Sequence, residues 1–207
     1  MTTLIAAPFG FSQRSGLGSA PTYENYSLIN GGIDYNTSAI YYGDPVERVG
    51  SGDGTIQQAP GGAGGSTLPL AGIFIGCKYL STAQKRTVWS NYWPGSDVTS
   101  ANQSSIEAYV VNDPHAQFLV QSDGTGVTQA QLGGNIDFAI GTGNTSNGLS
   151  GAYILHTAVT TTGYPFRLQS LVTGINPQGV IQATGVYNYA IVGFNNVETN
   201  GGTAANT

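Results

Sequence analysis

Charge is what this sequence has least of. Asp, Glu, Lys and Arg supply 8% of its 207 residues, against roughly 25% in an average soluble protein. Six cations are scattered along a chain of formal net charge −5. They form no basic patch, which excludes the usual electrostatic footprint of a nucleic-acid binder. Cysteine is nearly absent as well. Cys77 is alone and cannot form an intramolecular disulfide, so packing and hydrogen bonds must hold the fold, as suits assembly in a reducing cytoplasm. Long apolar runs are missing, since none approaches the roughly 20 residues that span a bilayer; no membrane association is expected. The opening Met1-Thr2-Thr3-Leu4-Ile5-Ala6-Ala7-Pro8 lacks the basic and long apolar regions of a secretory signal, and no targeting segment is expected.

Catalytic vocabulary is equally thin. There are two histidines, His115 after the turn Asp113-Pro114 and His156 in a strand beside Leu155. Neither belongs to a Gly-x-Ser-x-Gly elbow, so both read as structural. One cysteine and two distant histidines offer no transition-metal spacing. Asp44, Asp53, Asp113 and Asp123 sit beside Gly or Pro, where turn-forming Asp belongs, and no cluster of oxygen ligands at alternate positions marks a calcium loop. The glycine run 61–65 has no Gly-Lys-Ser/Thr ending and no helix after it, so it is not a phosphate cradle. No catalytic, cofactor-binding or metal-binding residue is assigned, and the chain is read as a non-enzyme without a cofactor.

Ser, Thr, Asn, Gln and Gly fill the polar positions instead. Neutral hydrogen-bonding groups cost less to desolvate at a contact than charges do, which suits a protein living in wet, polar interfaces. Thirty-one glycines fall between short β-branched or aromatic runs, the mark of strands and turns. Strands are predicted over 39–42, 46–49, 55–57, 73–80, 106–111, 117–121, 136–140, 152–158, 166–172 and 187–195. In 73–80, period 2 puts Ile73, Ile75, Cys77 and Tyr79 on one face and Lys78 on the other, which makes Cys77 a small core residue. Asn147-Gly148 predicts a hairpin between 136–140 and 152–158. One short helix is predicted, over 128–132 with Gly133 as its stop.

Residues 1–38 carry rings (Phe9, Phe11, Tyr23, Tyr26 and Tyr35) without any sustained period. Two readings stand: a loose terminus, or an extended arm whose aromatics dock on a neighbour. The second makes those five rings the candidate interface residues. Trp89, Tyr92 and Trp93 before Pro94-Gly95 also carry two readings, a cover over the end of the body or a sugar-stacking platform. The division expected is a 1–38 N-terminal arm, a 39–198 β-rich body and a 199–207 flexible tail. The fold class expected is all-β, a single barrel-like or sandwich body with at most one short helix.

Several words, taken in order, resemble tailed-bacteriophage capsid decoration proteins, also termed cement or head auxiliary proteins. They are Ile40-Tyr41-Tyr42-Gly43-Asp44-Pro45-Val46, Gly54-Thr55-Ile56, Gly72-Ile73-Phe74-Ile75-Gly76-Cys77-Lys78-Tyr79 and Tyr92-Trp93-Pro94. Ala108-Tyr109-Val110-Val111-Asn112-Asp113-Pro114, Phe118-Leu119-Val120-Gln121 and Pro165-Phe166-Arg167-Leu168 continue the series. The similarity covers roughly residues 35–195, rests on order and spacing, and leaves the first 38 residues unmatched. It implies a β-barrel-like body on the outer capsid surface of a virion, made in the host cytoplasm and bound to the major capsid protein. Self-association is expected with it, trimers fitting the local three-fold positions of such shells. The alternative is a virion-attached receptor- or glycan-binding β-domain of fibre or adhesin type, reading sugars through Trp89, Trp93 and nearby tyrosines.

Overall fold

The computed structural model describes residues 5–15, 24–26, 32–49, 54–62, 69–156, 163–172, 174–175, 181–182 and 185–200. In chain order its strands begin with β1 (Ser12–Ser15), β2 (Glu24–Tyr26), β3 (Pro45–Arg48), β4 (Ile56–Gln58) and β5 (Leu70–Ser81). Next come β6 (Arg86–Ser90), β7 (Glu107–Val111), β8 (Gln117–Gln121), β9 (Asn135–Ile136) and β10 (Phe138–Asn144). The last are β11 (Leu149–Ile154), β12 (Phe166–Leu171), β13 (Gly174–Ile175), β14 (Ile181–Gln182) and β15 (Tyr189–Phe194). A five-stranded sheet runs β1-β8-β15-β12-β9, and a six-stranded sheet runs β2-β7-β5-β3-β4 with β6 added beside β5. β10 and β11 form a separate hairpin, as do β13 and β14. The sheets do not close into a barrel. The fold is all-β, a sandwich.

Among the described residues the helical turns are 3-10, at Ser100–Ser105, Gln129–Gln131 and Glu198–Asn200. The second is the helix predicted over 128–132, cut to one turn. Thr128 N–H donates to Gln131 Oε1 at 2.7 Å, which satisfies a terminal donor without lengthening the turn. The hairpin predicted around Asn147-Gly148 is β10–β11, with Gly148 at φ 72°.

The sandwich core follows from period 2. Phe118 and Val120 of β8, Phe166 and Leu168 of β12, and Ala190, Val192 and Phe194 of β15 point inward at alternate positions. Opposite them lie Leu70 and Ile73 of β5, Val111 of β7, and Phe138, Ala152 and Ile154 of the β10–β11 hairpin. A second core lies on the other face of the six-stranded sheet. There Ala71, Phe74, Cys77 and Tyr79 of β5 meet Ile33, Ile40, Trp93, Val98 and Ile106 from outside the strands.

β5 therefore buries both faces, and its predicted face is corrected. Ile73 and Ile75 pack against the sandwich core, whereas Cys77 and Tyr79 belong to the second. The cause is a register shift against β7 between Phe74 and Gly76, which adds one residue and flips the side chains beyond it. Gly76 sits at φ 149°, where a Cβ would lie 2.9 Å from the Ser90 carbonyl oxygen.

The N-terminal segment departs further from expectation. β1 pairs antiparallel with β8, Ser12 against Leu119, and Phe11 is 1% exposed. Its ring stacks on Phe166 at 4.4 Å and meets Phe118 and Phe138 edge to face. This part of the expected arm is an edge strand of the body. An aromatic side chain buried this way contributes roughly 1.5–3 kcal/mol, more than a loose tail could forgo.

Candidate functional site

Carboxylates come first, because chemistry or metal binding would draw on them. Of eleven, Asp53 and the side chain of Glu24 lie outside the described residues. Each of the other nine accepts a hydrogen bond within the chain. Asp34 takes Asn36 N–H, Asp113 takes His115 N–H and Asp137 takes Phe138 N–H. Glu107 is held by Lys78 at 2.6 Å, Glu198 by Arg48 at 2.8 Å, and Glu47 by Gln57 at 3.2 Å. Asp97 takes the Ser81 hydroxyl and Ala83 N–H.

Asp44 closes the turn back to Tyr41, as expected, and does more. It is 0% exposed, and burial pushes its carboxyl above the usual range even though Ser150, Tyr41 N–H and Gln58 all donate to it. The Gly43-Asp44-Pro45 corner is thus tied through Ser150 to β11. Among the described residues no three of His, Cys, Asp and Glu come together as a metal site.

The two histidines stand apart in role. His115 is largely exposed, 3.6 Å from Asp113. His156 Nδ1 lies 2.6 Å from Asp123 Oδ2, and His156 N–H donates to the same oxygen at 3.0 Å. Asp123 Oδ1 accepts Thr125 and Gly126 N–H. Burial pushes Asp123 up, but these hydrogen bonds outweigh it and hold its carboxyl below the usual range. Both oxygens are committed to closing the turn after β8. Beside them a cleft of about 230 Å³ is lined by Ala6, Pro8, Gln121, Asp123, Tyr153 and Tyr187, among others. Ser122 also borders it, with its hydroxyl donated to Asn188 Oδ1 at 2.7 Å. Gln121 straps the N-terminal segment across this cleft, donating to the Ile5 carbonyl and accepting Ala7 N–H.

The rings proposed for an interface are dispersed. Phe9 is half-buried and stacks on Tyr189 at 6.0 Å. Phe11 is in the sandwich core and cannot serve as a docking ring. Tyr35 is half-buried against the second core. Tyr26 contributes backbone to β2, opposite Ala108, and Tyr23 lies outside the described residues.

The tryptophans separate as well. Trp93 is 0% exposed, edge to face with Tyr79 at 5.2 Å, and its backbone exchanges two hydrogen bonds with Ile40. Trp89 is 69% exposed on β6. The two cannot form one stacking platform. Period 2 alone does not separate them, because four residues along a strand return to the same face; the bend after β6 decides it.

The outer face of the five-stranded sheet is exposed at Arg167 and Gln169 and half-buried at Gln117, Leu119 and Ile191. None of its five strands contains a carboxylate. Gln117 donates to Gln169 Oε1 at 2.7 Å and accepts the Ser15 hydroxyl at 2.8 Å, so an amide and hydroxyl chain crosses from β1 to β12. Arg14 and Arg167 are exposed in the same sheet, and Leu119 and Ile191, half-buried, pair across it. No family model, no curated protein and no solved structure matches this chain.

Proposed function

We propose that this chain is a structural virion protein, a decoration or cement protein on the outer surface of a tailed-phage head that stabilises contacts between major capsid subunits. The observation that carries the reading is the carboxylate-free outer face of the five-stranded sheet, crossed by the Ser15–Gln117–Gln169 chain. Its neutral amides and hydroxyls make specific, wet contacts, and Arg14 and Arg167 are the charges that sheet exposes among the described residues, so few ion pairs contribute. The nine carboxylate side chains among the described residues serve the fold, each holding a turn, a strand or a neighbouring cation. A protein binding only the assembled lattice stabilises it by mass action, and repetition over a symmetric shell multiplies modest affinities, most simply as a trimer at local three-fold positions.

Two measurements test this. Gel quantitation against the major capsid protein in purified particles is expected to give hundreds of copies per head, as a repeated lattice requires. Particles washed in rising sodium chloride are expected to keep the chain, and those in rising guanidinium to shed it before the lattice fails, because guanidinium weakens apolar burial. Release by sodium chloride alone would show that ion pairs, not neutral hydrogen bonds and apolar burial, hold the interface, and would reject this reading of it. A second reading, a virion-attached receptor- or glycan-binding domain, draws on the exposed ring of Trp89. A handful of copies per particle would favour it.

A further inference from the structure

The six-stranded sheet is longer than the sandwich that covers it. Its inner face is buried at Leu70, Ile73 and Val111, then continues past the bulge of β5 as a partly exposed shelf. Register fixes the row: Lys78 lies directly opposite Trp89 on one side and Glu107 on the other. Leu80 and Tyr109, both half-exposed, share this face, and Trp89 is 69% exposed. β6 is an edge strand, paired only with β5 among the described residues. At the tip of the β5–β6 hairpin Lys85 and Arg86 are exposed, with no carboxylate within ion-pair distance among the described residues. Arg86 donates to the neutral Gln84. The nearby Asp97 spends both oxygens on Ser81 and Ala83.

We propose that this shelf is a docking surface for an acidic protein surface, with Trp89 buried at the centre of the contact and Lys85 and Arg86 on its rim. The inference rests on the decoration reading, which makes that surface part of the capsid lattice; a bridging protein needs more than one contact face. A large exposed ring beside a self-neutralised Lys78–Glu107 pair is a typical contact anchor, and unmatched cations around it select a negative partner. A second copy of this chain is a poor occupant, because its nine described carboxylate side chains already hold internal donors and have little to offer Lys85 and Arg86.

The test mixes the full chain with purified heads assembled without it and measures co-sedimentation. The native chain is compared with Trp89→Ala, Trp89→Phe and the double variant Lys85→Glu/Arg86→Glu, each confirmed folded by its thermal melt. Trp89→Ala is expected to weaken binding by about tenfold or more, as loss of a buried anchor does, with Trp89→Phe between it and the native chain. The charge-reversed variant is expected to co-sediment several-fold less at low salt and about equally to native at molar salt; equal co-sedimentation at low salt would overturn the acidic partner. Unchanged binding by Trp89→Ala would overturn the docking surface and leave the decoration reading standing. Failure of the native chain to sediment with heads would sink both. Soluble sugars that perturb the fluorescence of the free native chain, but not of Trp89→Ala, would overturn the inference in favour of a saccharide site.

Discussion

The two faces of β5 are covered in different ways. One face meets a sheet, and the rings filling the space come from four strands and the residue before a fifth: Phe118, Phe138, Phe166 and Phe194, with Phe11 ahead of β1. The other meets single side chains from outside the strands, Ile33, Ile40, Trp93, Val98 and Ile106. A sheet cover is redundant, because each strand repeats its contribution every second residue. A cover of separate side chains has no such redundancy, yet it can shift locally when one is removed. The difference teaches that Phe11, the single ring ahead of an edge strand, matters more than its position near the N-terminus implies.

The largest effect is expected there. Phe11→Ala removes a ring stacked on Phe166 at 4.4 Å and leaves a cavity beside that ring, Phe118 and Phe138, at a cost of about 3–5 kcal/mol. Equilibrium unfolding in denaturant measures it. A cost below about 1 kcal/mol, the scale of a surface change, would mean that the N-terminal strand is a detachable arm after all. Deleting residues 1–15 is expected to lower stability at least as far as Phe11→Ala.

Trp93→Ala tests the second core. The ring is fully buried, but its cover is made of separate segments that can close in, so the expected loss is toward the low end, about 3 kcal/mol. Cys77 reports on this core directly, its thiol buried and pushed up to about 12 by that burial. At mildly alkaline pH an alkylating reagent therefore reacts only when the core opens. Both Phe11→Ala and Trp93→Ala are expected to speed labelling, since the two cores share β5 and unfold together. If only Trp93→Ala does so, the two faces are separate cooperative units.

A smaller effect is expected at the turn after β8. Asp123 has a folded pKa held below its unfolded value, which for a free Asp is about 3.9. The ionised carboxylate therefore contributes stability above that value, and the contribution fades as pH falls through the lower folded value. Asp123→Asn is expected to cost about 1–2 kcal/mol at neutral pH and to converge with the native chain in acid. A cost that stayed constant across that window would show that the turn does not depend on the charge.

Much of the sandwich was legible. Residues 117–121 are predicted and found as β8, and the strands at 106–111, 166–172 and 187–195 lie within two residues of β7, β12 and β15. Their apolar residues alternate, so the local signal and the tertiary demand agree. β5 was legible as a strand but not in its facing, because the extra residue near Gly76 is set by pairing with β7. Phe11 was missed as core since a four-residue edge strand, Ser-Gln-Arg-Ser, has no apolar alternation of its own. The carboxylate-free face could have been found in the sequence by asking which strands lack Asp and Glu. Which of those strands would lie side by side could not, since β1, β8, β15, β12 and β9 come from distant parts of the chain.

The smallest effect on stability is expected at the other tryptophan. Trp89 and Trp93 lie four residues apart, yet one is 69% exposed and the other 0%. Trp89→Ala removes surface that water already covers, so its unfolding free energy should stay within about 0.5 kcal/mol of the native chain. Some loss is expected from contact with Lys78 across the strand pair, because the aliphatic stem of a lysine packs on a neighbouring ring. Double substitution with Lys78→Ala isolates that contact, expected at a few tenths of a kcal/mol for an exposed cross-strand pair. A loss above about 2 kcal/mol, the range of a buried ring, would place Trp89 in a third packed region of this chain. The shelf would then be covered from within, and nothing would be left there for a partner to bind.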